Sequence, residues 1–261
     1  MTLHFQQFGN EGKPPLVFIH GLFGSGVNWR SVAKEFSTTH TAYVLDLRNH
    51  GGSMHSPSMT YLDMASDIQE FVISQGLQDY VLCGHSMGGK AVMVNALMND
   101  LLLDDQLRAL VVLDIAPVAY EHSHNSHLDA LLQIDLESVE SRAAVDKQLQ
   151  ASIPETATRL FLLQSLVRED GAFRWKINIP VLQEYMPDIV GFPTGLVVGK
   201  KSNKPALFLH GKESNYVSDK MHQTIAEYFP EARIQGLPGA GHWLHIDQRE
   251  AMLAALKVFL C

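Results

Sequence analysis

A chain of 261 residues with 46% hydrophobic and 18% charged residues suits one large α/β domain or two small ones and is too apolar to be disordered. Its 20 basic and 28 acidic residues give a formal charge of −8, and no Lys/Arg cluster concentrates the basic ones. This excludes a nucleic-acid binder and an anionic membrane surface as partner. No stretch reaches the roughly 18 apolar residues of a membrane span. The N-terminal residues show no basic region followed by an apolar core, and Cys83 and Cys261 suggest no disulfide framework, so the expectation is a reduced, cytoplasmic protein.

In chain order, a half-buried strand at 3–7 opens the sheet. Buried strands follow at 16–20, 41–46, 80–84, 110–114 and 206–210, with a weaker one at 232–237. Most are continuous apolar runs, as a parallel sheet covered on both faces requires. Helical spacing of apolar residues occupies 28–37, 61–75, 87–98, 217–228 and 248–260. The alternation predicts an open, mostly parallel, doubly wound sheet. From about Val118 to Asn203 no strand core is legible. Helical stretches at 126–135, 137–150, 155–168 and 179–186, punctuated by Pro154, Pro180, Pro187 and Pro193, are too extensive for a loop. The expected organisation is a core of 1–117 plus 204–261 and a helical cap of 118–203.

Gly84-His85-Ser86-Met87-Gly88 is a G-x-S-x-G sequence between a predicted strand and a predicted helix. By chance the pattern arises about 0.1 times in a chain of this length at average Gly and Ser usage. Its glycines relieve a turn so tight that the serine takes a strained conformation, and Ser86 is lifted to a helix N-terminus as a nucleophile. A serine needs a base. His242, in the Gly-rich loop 239–243 after the last strand, is that candidate, with His245 as a rival. The Met87 amide, next after the nucleophile, is one oxyanion donor.

The strings HGLFGS, RNHG, GHSMGGKA and LDIAPV, together with the 239–243 loop, resemble the α/β-hydrolases and in particular the bacterial YbfF-type esterases and their mitochondrial relatives. The resemblance spans nearly the whole chain. It implies an α/β-hydrolase fold and a second oxyanion donor at Leu22, with Phe23 as the alternative. The acid departs from the common superfamily pattern: where many relatives carry Asp, this chain has Ser214, flanked by Glu213 and Asn215, with Asp219 further on. The resemblance implies Asp114 at the end of strand 110–114 instead; Glu213 stays open as the alternative.

The expected function is hydrolysis of carboxylic esters or thioesters through an acyl-serine. The resemblance implies short to medium acyl groups, with acyl-CoA as a further candidate. The expected partner is therefore a small-molecule ester or thioester, and the chain is expected as a monomer or homodimer. A lyase or C–C hydrolase on the same scaffold and a slow-turnover receptor are alternatives. Haloalkane dehalogenase and epoxide hydrolase chemistry would need Asp at position 86. Phe23, Trp175, Tyr185, Met186 and Trp243 are candidate pocket residues. His122, His124 and His127 are read as a solvated loop and not a metal site. Lys90 is expected in a buried ion pair with Asp114 or the Asp46 loop. Asp46, Arg48, Asn49 and His50 are read as a network joining two loops. No G-x-G-x-x-G follows a strand, so no dinucleotide is expected and no cofactor is inferred.

Overall fold

The apolar runs become strands whose successive side chains enter two different cores. Leu16 and Phe18 face one side with Trp29, Val32 and Leu256, while Val17 and Ile19 face the other with Ile68, Phe71 and Val92. Covering both faces is what makes these strands apolar throughout. The computed structural model describes residues 3–98 and 106–261. Its strands are β1 (Phe5–Phe8), β2 (Pro15–Ile19), β3 (Thr41–Leu45), β4 (Tyr80–His85), β5 (Leu107–Leu113), β6 (Leu166–Glu169), β7 (Ala172–Trp175), β8 (Ala206–Gly211) and β9 (Ala232–Leu237). Seven of them form one sheet in the order β1-β3-β2-β4-β5-β8-β9, parallel except for β1, which pairs antiparallel with β3.

The helices are α1 (Arg30–Phe36), α2 (Tyr61–Ser74), α3 (Met87–Leu97), α4 (Asn125–Leu132), α5 (Arg142–Leu149), α6 (Thr156–Leu162), α7 (Ile179–Glu184), α8 (Met186–Val190), α9 (Thr194–Val197), α10 (Asp219–Tyr228), α11 (Leu244–Asp247) and α12 (Arg249–Leu260). Every residue of α3 is buried, so the helix that follows Ser86 runs through the core. Among the described residues, no helix is long and apolar enough to cross a membrane.

The segment between β5 and β8 holds α4 to α9, but it is not all helical. The helix expected over 155–168 stops at Leu162. After a 3-10 turn at Leu163–Ser165, the chain forms the antiparallel hairpin β6–β7. Asp170 (φ 51) and Gly171 (φ 85) make its two-residue turn, the left-handed pair that a tight hairpin demands. This segment is bound to the core at several points. Tyr61 donates to the Ile189 carbonyl (2.6 Å), and Asn178 donates from its backbone to Asn49 O (3.0 Å) and from its side chain to Asn49 Oδ1 (3.0 Å).

Candidate active site

β4 ends at His85 and α3 begins at Met87, so the chain reverses direction at Ser86. Ser86 has φ 53 and ψ −120, a region that costs a non-glycine residue about 1–3 kcal/mol. The neighbouring glycines are steric necessities. A Cβ on Gly84 would run into the Gly88 carbonyl, and one on Gly88 would run into the His20 carbonyl. The Ser86 amide donates to Leu113 O (3.0 Å), which fixes the turn against β5.

Asp114 follows β5 immediately and also has a left-handed backbone (φ 51). Its side chain is fully buried, and its Oδ2 accepts a hydrogen bond from His242 Nδ1 at 2.7 Å. Two further donors hold the carboxylate: Gly211 N on Oδ1 (2.9 Å) and Ser214 Oγ on Oδ2 (2.5 Å). Ser214, whose hydroxyl cannot carry a negative charge, thus helps to hold the Asp114 carboxylate. With Nδ1–H committed to a carboxylate, the other nitrogen of His242 is left as a proton acceptor. Glu213 is exposed, and so is Asp219. The rival base, His245, has no hydrogen-bond partner on Nδ1, and burial pushes its pKa down to about 4.

His242 is fixed from two more sides. His85 Nε2 donates to the His242 carbonyl (2.8 Å), with the two rings 4.6 Å apart. Tyr216 stacks on its imidazole at 4.1 Å and 23°, and the Tyr216 hydroxyl meets His122 Nε2 at 3.0 Å. A stacked ring is worth about 0.5–1.5 kcal/mol beyond burial. Tyr216→Leu is therefore expected to lower kcat/KM for an ester about three- to tenfold, with Tyr216→Phe lowering it less. Equal kinetics for Tyr216→Leu and wild type would contradict a positioning effect of the ring.

The donors expected at the oxyanion position are arranged differently from each other. Met87 is the first residue of α3, so its N–H has no partner within the helix. In the loop after β2, Phe23 N–H is already used by His50 Nε2 (3.2 Å), which favours the expectation of Leu22 over Phe23. His20 braces this loop, its Nδ1 donating to Gly21 O (2.7 Å) and its Nε2 accepting from Leu47 N (3.0 Å).

Ser86 and His242 line one cleft of about 750 Å³, its mouth included, within the range of small-molecule sites. Phe23 and Trp243 line it, with Leu22, Phe161 and Leu162 as further apolar walls. Trp175, Tyr185 and Met186 do not line it: Met186 is core, and Trp175 and Tyr185 pack against that core. In their place α6 supplies Thr158, Phe161 and Leu162. His124 and His127 also line the cleft, each ring set edge-on to Phe23, so two of the three histidines read as a solvated loop are half-buried cleft walls, and His127 lies in α4.

Lys90 has no carboxylate partner among the described residues. Its ammonium donates to the carbonyls of Val190 (2.8 Å) and Gly191 (2.5 Å), so the expected ion pair is replaced by a backbone clamp on the end of α8. Asp46 and Arg48 do form networks. Asp46 accepts from Gly26 N (2.6 Å), Gly52 N (2.7 Å) and His4 Nδ1 (2.9 Å), and Arg48 grips Asp67 with two bonds (2.6 and 2.8 Å).

Burial keeps several of these histidines neutral. It lowers His20, drives His85 well down, and pushes His50 to about 3 and His124 to about 4. The unfolded chain takes up protons near pH 6.5 while His50 in the fold does not, so the unfolded state binds more protons between pH 6.5 and 3. Stability is full above pH 6.5 and falls as pH drops below it, by up to about 1.4 kcal/mol per pH unit for each such group. Denaturation midpoints at pH 7.5 and 5.0 are expected to show this loss, and His50→Gln is expected to reduce the difference. An identical pH dependence in that variant would contradict the assignment to His50.

Comparison with known proteins adds the following. A family model described as the alpha/beta hydrolase fold matches residues 14–248. The sn-1-specific diacylglycerol lipase ABHD11 of Mus musculus is 38% identical over 97% of this chain and 82% of its own length. Esterase YbfF of Escherichia coli (strain K12) is 36% identical over 96% of this chain and 94% of its own. Among solved structures, a marine microorganism esterase superposes with a TM-score of 0.92 at 38% identity, covering 99% of both chains.

Proposed function

The chain belongs to the alpha/beta hydrolase family, and on that premise we propose that it is a serine hydrolase of carboxylic esters, with thioesters as further substrates. The observation that carries this reading is the 2.7 Å bond from His242 to the fully buried Asp114, opening on the same cleft as Ser86. Relatives named as an esterase and a diacylglycerol lipase support ester cleavage.

In the proposed mechanism Ser86 Oγ attacks the carbonyl carbon while His242 Nε2 takes its proton. Asp114 holds the imidazole in the required tautomer and stabilises its charged form. The amides of Leu22 and Met87 receive the oxyanion; one such donor is worth about 2.7–4 kcal/mol in comparable enzymes. His242 then protonates the departing alcohol or thiol, leaving an acyl-Ser86. Water, deprotonated by His242, attacks the acyl carbon, and collapse of the intermediate releases the acid and returns the proton to Ser86.

The test is turnover of p-nitrophenyl acetate, butyrate and octanoate beside the matching S-acyl thioesters. Turnover that exceeds the enzyme concentration many times and rises with chain length into the apolar cleft is expected. Single turnover, or none, with every ester and thioester would overturn the reading.

A further inference from the structure

A second, smaller space opens behind the nucleophile. This chamber, of about 300 Å³ with its mouth included, shares Leu22, Ser86, His124 and Tyr216 with the main cleft and adds Met87, Lys90, Tyr120 and His122. Both residues expected to donate to the oxyanion therefore line it. An ester carbonyl held at Ser86 has one substituent directed to the wide apolar cleft, and the other has this chamber open to it.

The polar groups of the chamber leave one chemistry unmet. Tyr61 OH is spent on Ile189 O (2.6 Å), Tyr120 OH donates to Tyr216 O (2.6 Å) while accepting from Ala116 N (2.9 Å), His122 Nε2 meets the Tyr216 hydroxyl (3.0 Å), and burial, pushing the His124 pKa to about 4, keeps that ring neutral. Lys90, only 1% exposed, is different. Its ammonium carries three N–H groups, and the Val190 and Gly191 carbonyls take two of them. The ring of Tyr120 lies 4.7 Å away and that of Tyr61 5.8 Å away, which eases a cation without neutralising it. No carboxylate among the described residues lies within ion-pair distance of it, so in its protonated form a buried positive charge and one donor remain uncompensated in the chamber that Ser86 also lines.

We propose that this chamber is a subsite for a carboxylate carried by the substrate, with Lys90 as the residue that selects it, so that the preferred esters bear an acid group a few carbons from the scissile bond. This deepens the esterase reading and rests on it. Burial also lowers the Lys90 pKa to about 7, and an anion in the chamber would favour its charged form again. The backbone N–H of Lys90 bonds to Ser86 O (3.1 Å), which places Lys90 one helical turn after Ser86, and both residues line the chamber.

The test compares acid and amide at the same position. In one arm the monoethyl esters of succinate, glutarate and adipate are set against their ω-carboxamides, which places the acid in the acyl group. In the other, 3-(butanoyloxy)propanoate is set against its amide, which places it in the alcohol. Wild type is expected to prefer the acid at least tenfold in kcat/KM in one arm, and Lys90→Met is expected to bring that ratio within threefold of unity. Calorimetric binding of the same pairs to Ser86→Ala reads the subsite without turnover, and a tenfold preference for the acid is expected there too. Equal or better use and binding of the amides in both arms would overturn the proposal, even where Lys90→Met fails to fold. Absent turnover of every ester with an intact binding preference would instead overturn the esterase reading alone.

Discussion

The Ser86→Ala variant is expected to hydrolyse p-nitrophenyl butyrate with kcat lowered about 10⁴-fold or more. The change deletes one oxygen and leaves the turn intact, since the alanine inherits the same left-handed backbone (φ 53) and the same bond to Leu113 O. Substrate contacts in the cleft come from other residues, so KM is expected to move far less than kcat. A variant retaining more than a hundredth of the wild-type kcat would mean that the hydrolysis measured does not pass through Ser86.

The second large effect separates the two candidate acids. Asp114→Asn is expected to reduce kcat about 10⁴-fold. An amide at this site offers an N–H or a neutral oxygen to His242 Nδ1, so the imidazole loses both its enforced tautomer and the negative charge that stabilises its protonated form. With its oxygen kept on Gly211 N, the amide would turn its NH2 to Ser214 Oγ and His242 Nδ1, reversing both bonds and holding the imidazole in the tautomer whose Nε2 carries the proton. Glu213→Gln is expected to leave kcat within twofold of wild type, because the Glu213 side chain is exposed while the buried partner of His242 is Asp114. A loss in Glu213→Gln as large as that in Asp114→Asn would contradict the pairing.

Features whose physics is local could be read from the sequence. The elbow at Ser86 demands small residues at 84 and 88 because of collisions within a few residues of chain, so its signature is written in a short string. The parallel strands were legible because burial on both faces leaves no alternation. Partnerships between distant residues were not legible. Ser214 donates to Asp114 across a hundred positions, and Tyr216 stacks on His242, yet neither has a pattern that singles it out. Lys90 was expected to find a carboxylate, whereas its partners are backbone carbonyls, which every residue owns. The segment between β5 and β8 was the least legible region. Its hairpin strands are four residues each, too short for a period, although Asp170-Gly171 was an available turn signal. The pocket followed the same rule: aromatic side chains at 175 and 185 pack against the buried core, and α6, read only as part of a longer helix, supplies the wall.

The most direct measurement of the central claim is the mass of the protein quenched with acid within its first turnovers of p-nitrophenyl butyrate, followed by peptide mapping. A fraction of the chain is expected to carry one butanoyl group, confined to the peptide containing Ser86 and absent from Ser86→Ala. Rapid hydrolysis with no acylated protein at any quench time, or acylation placed on another residue, would contradict it.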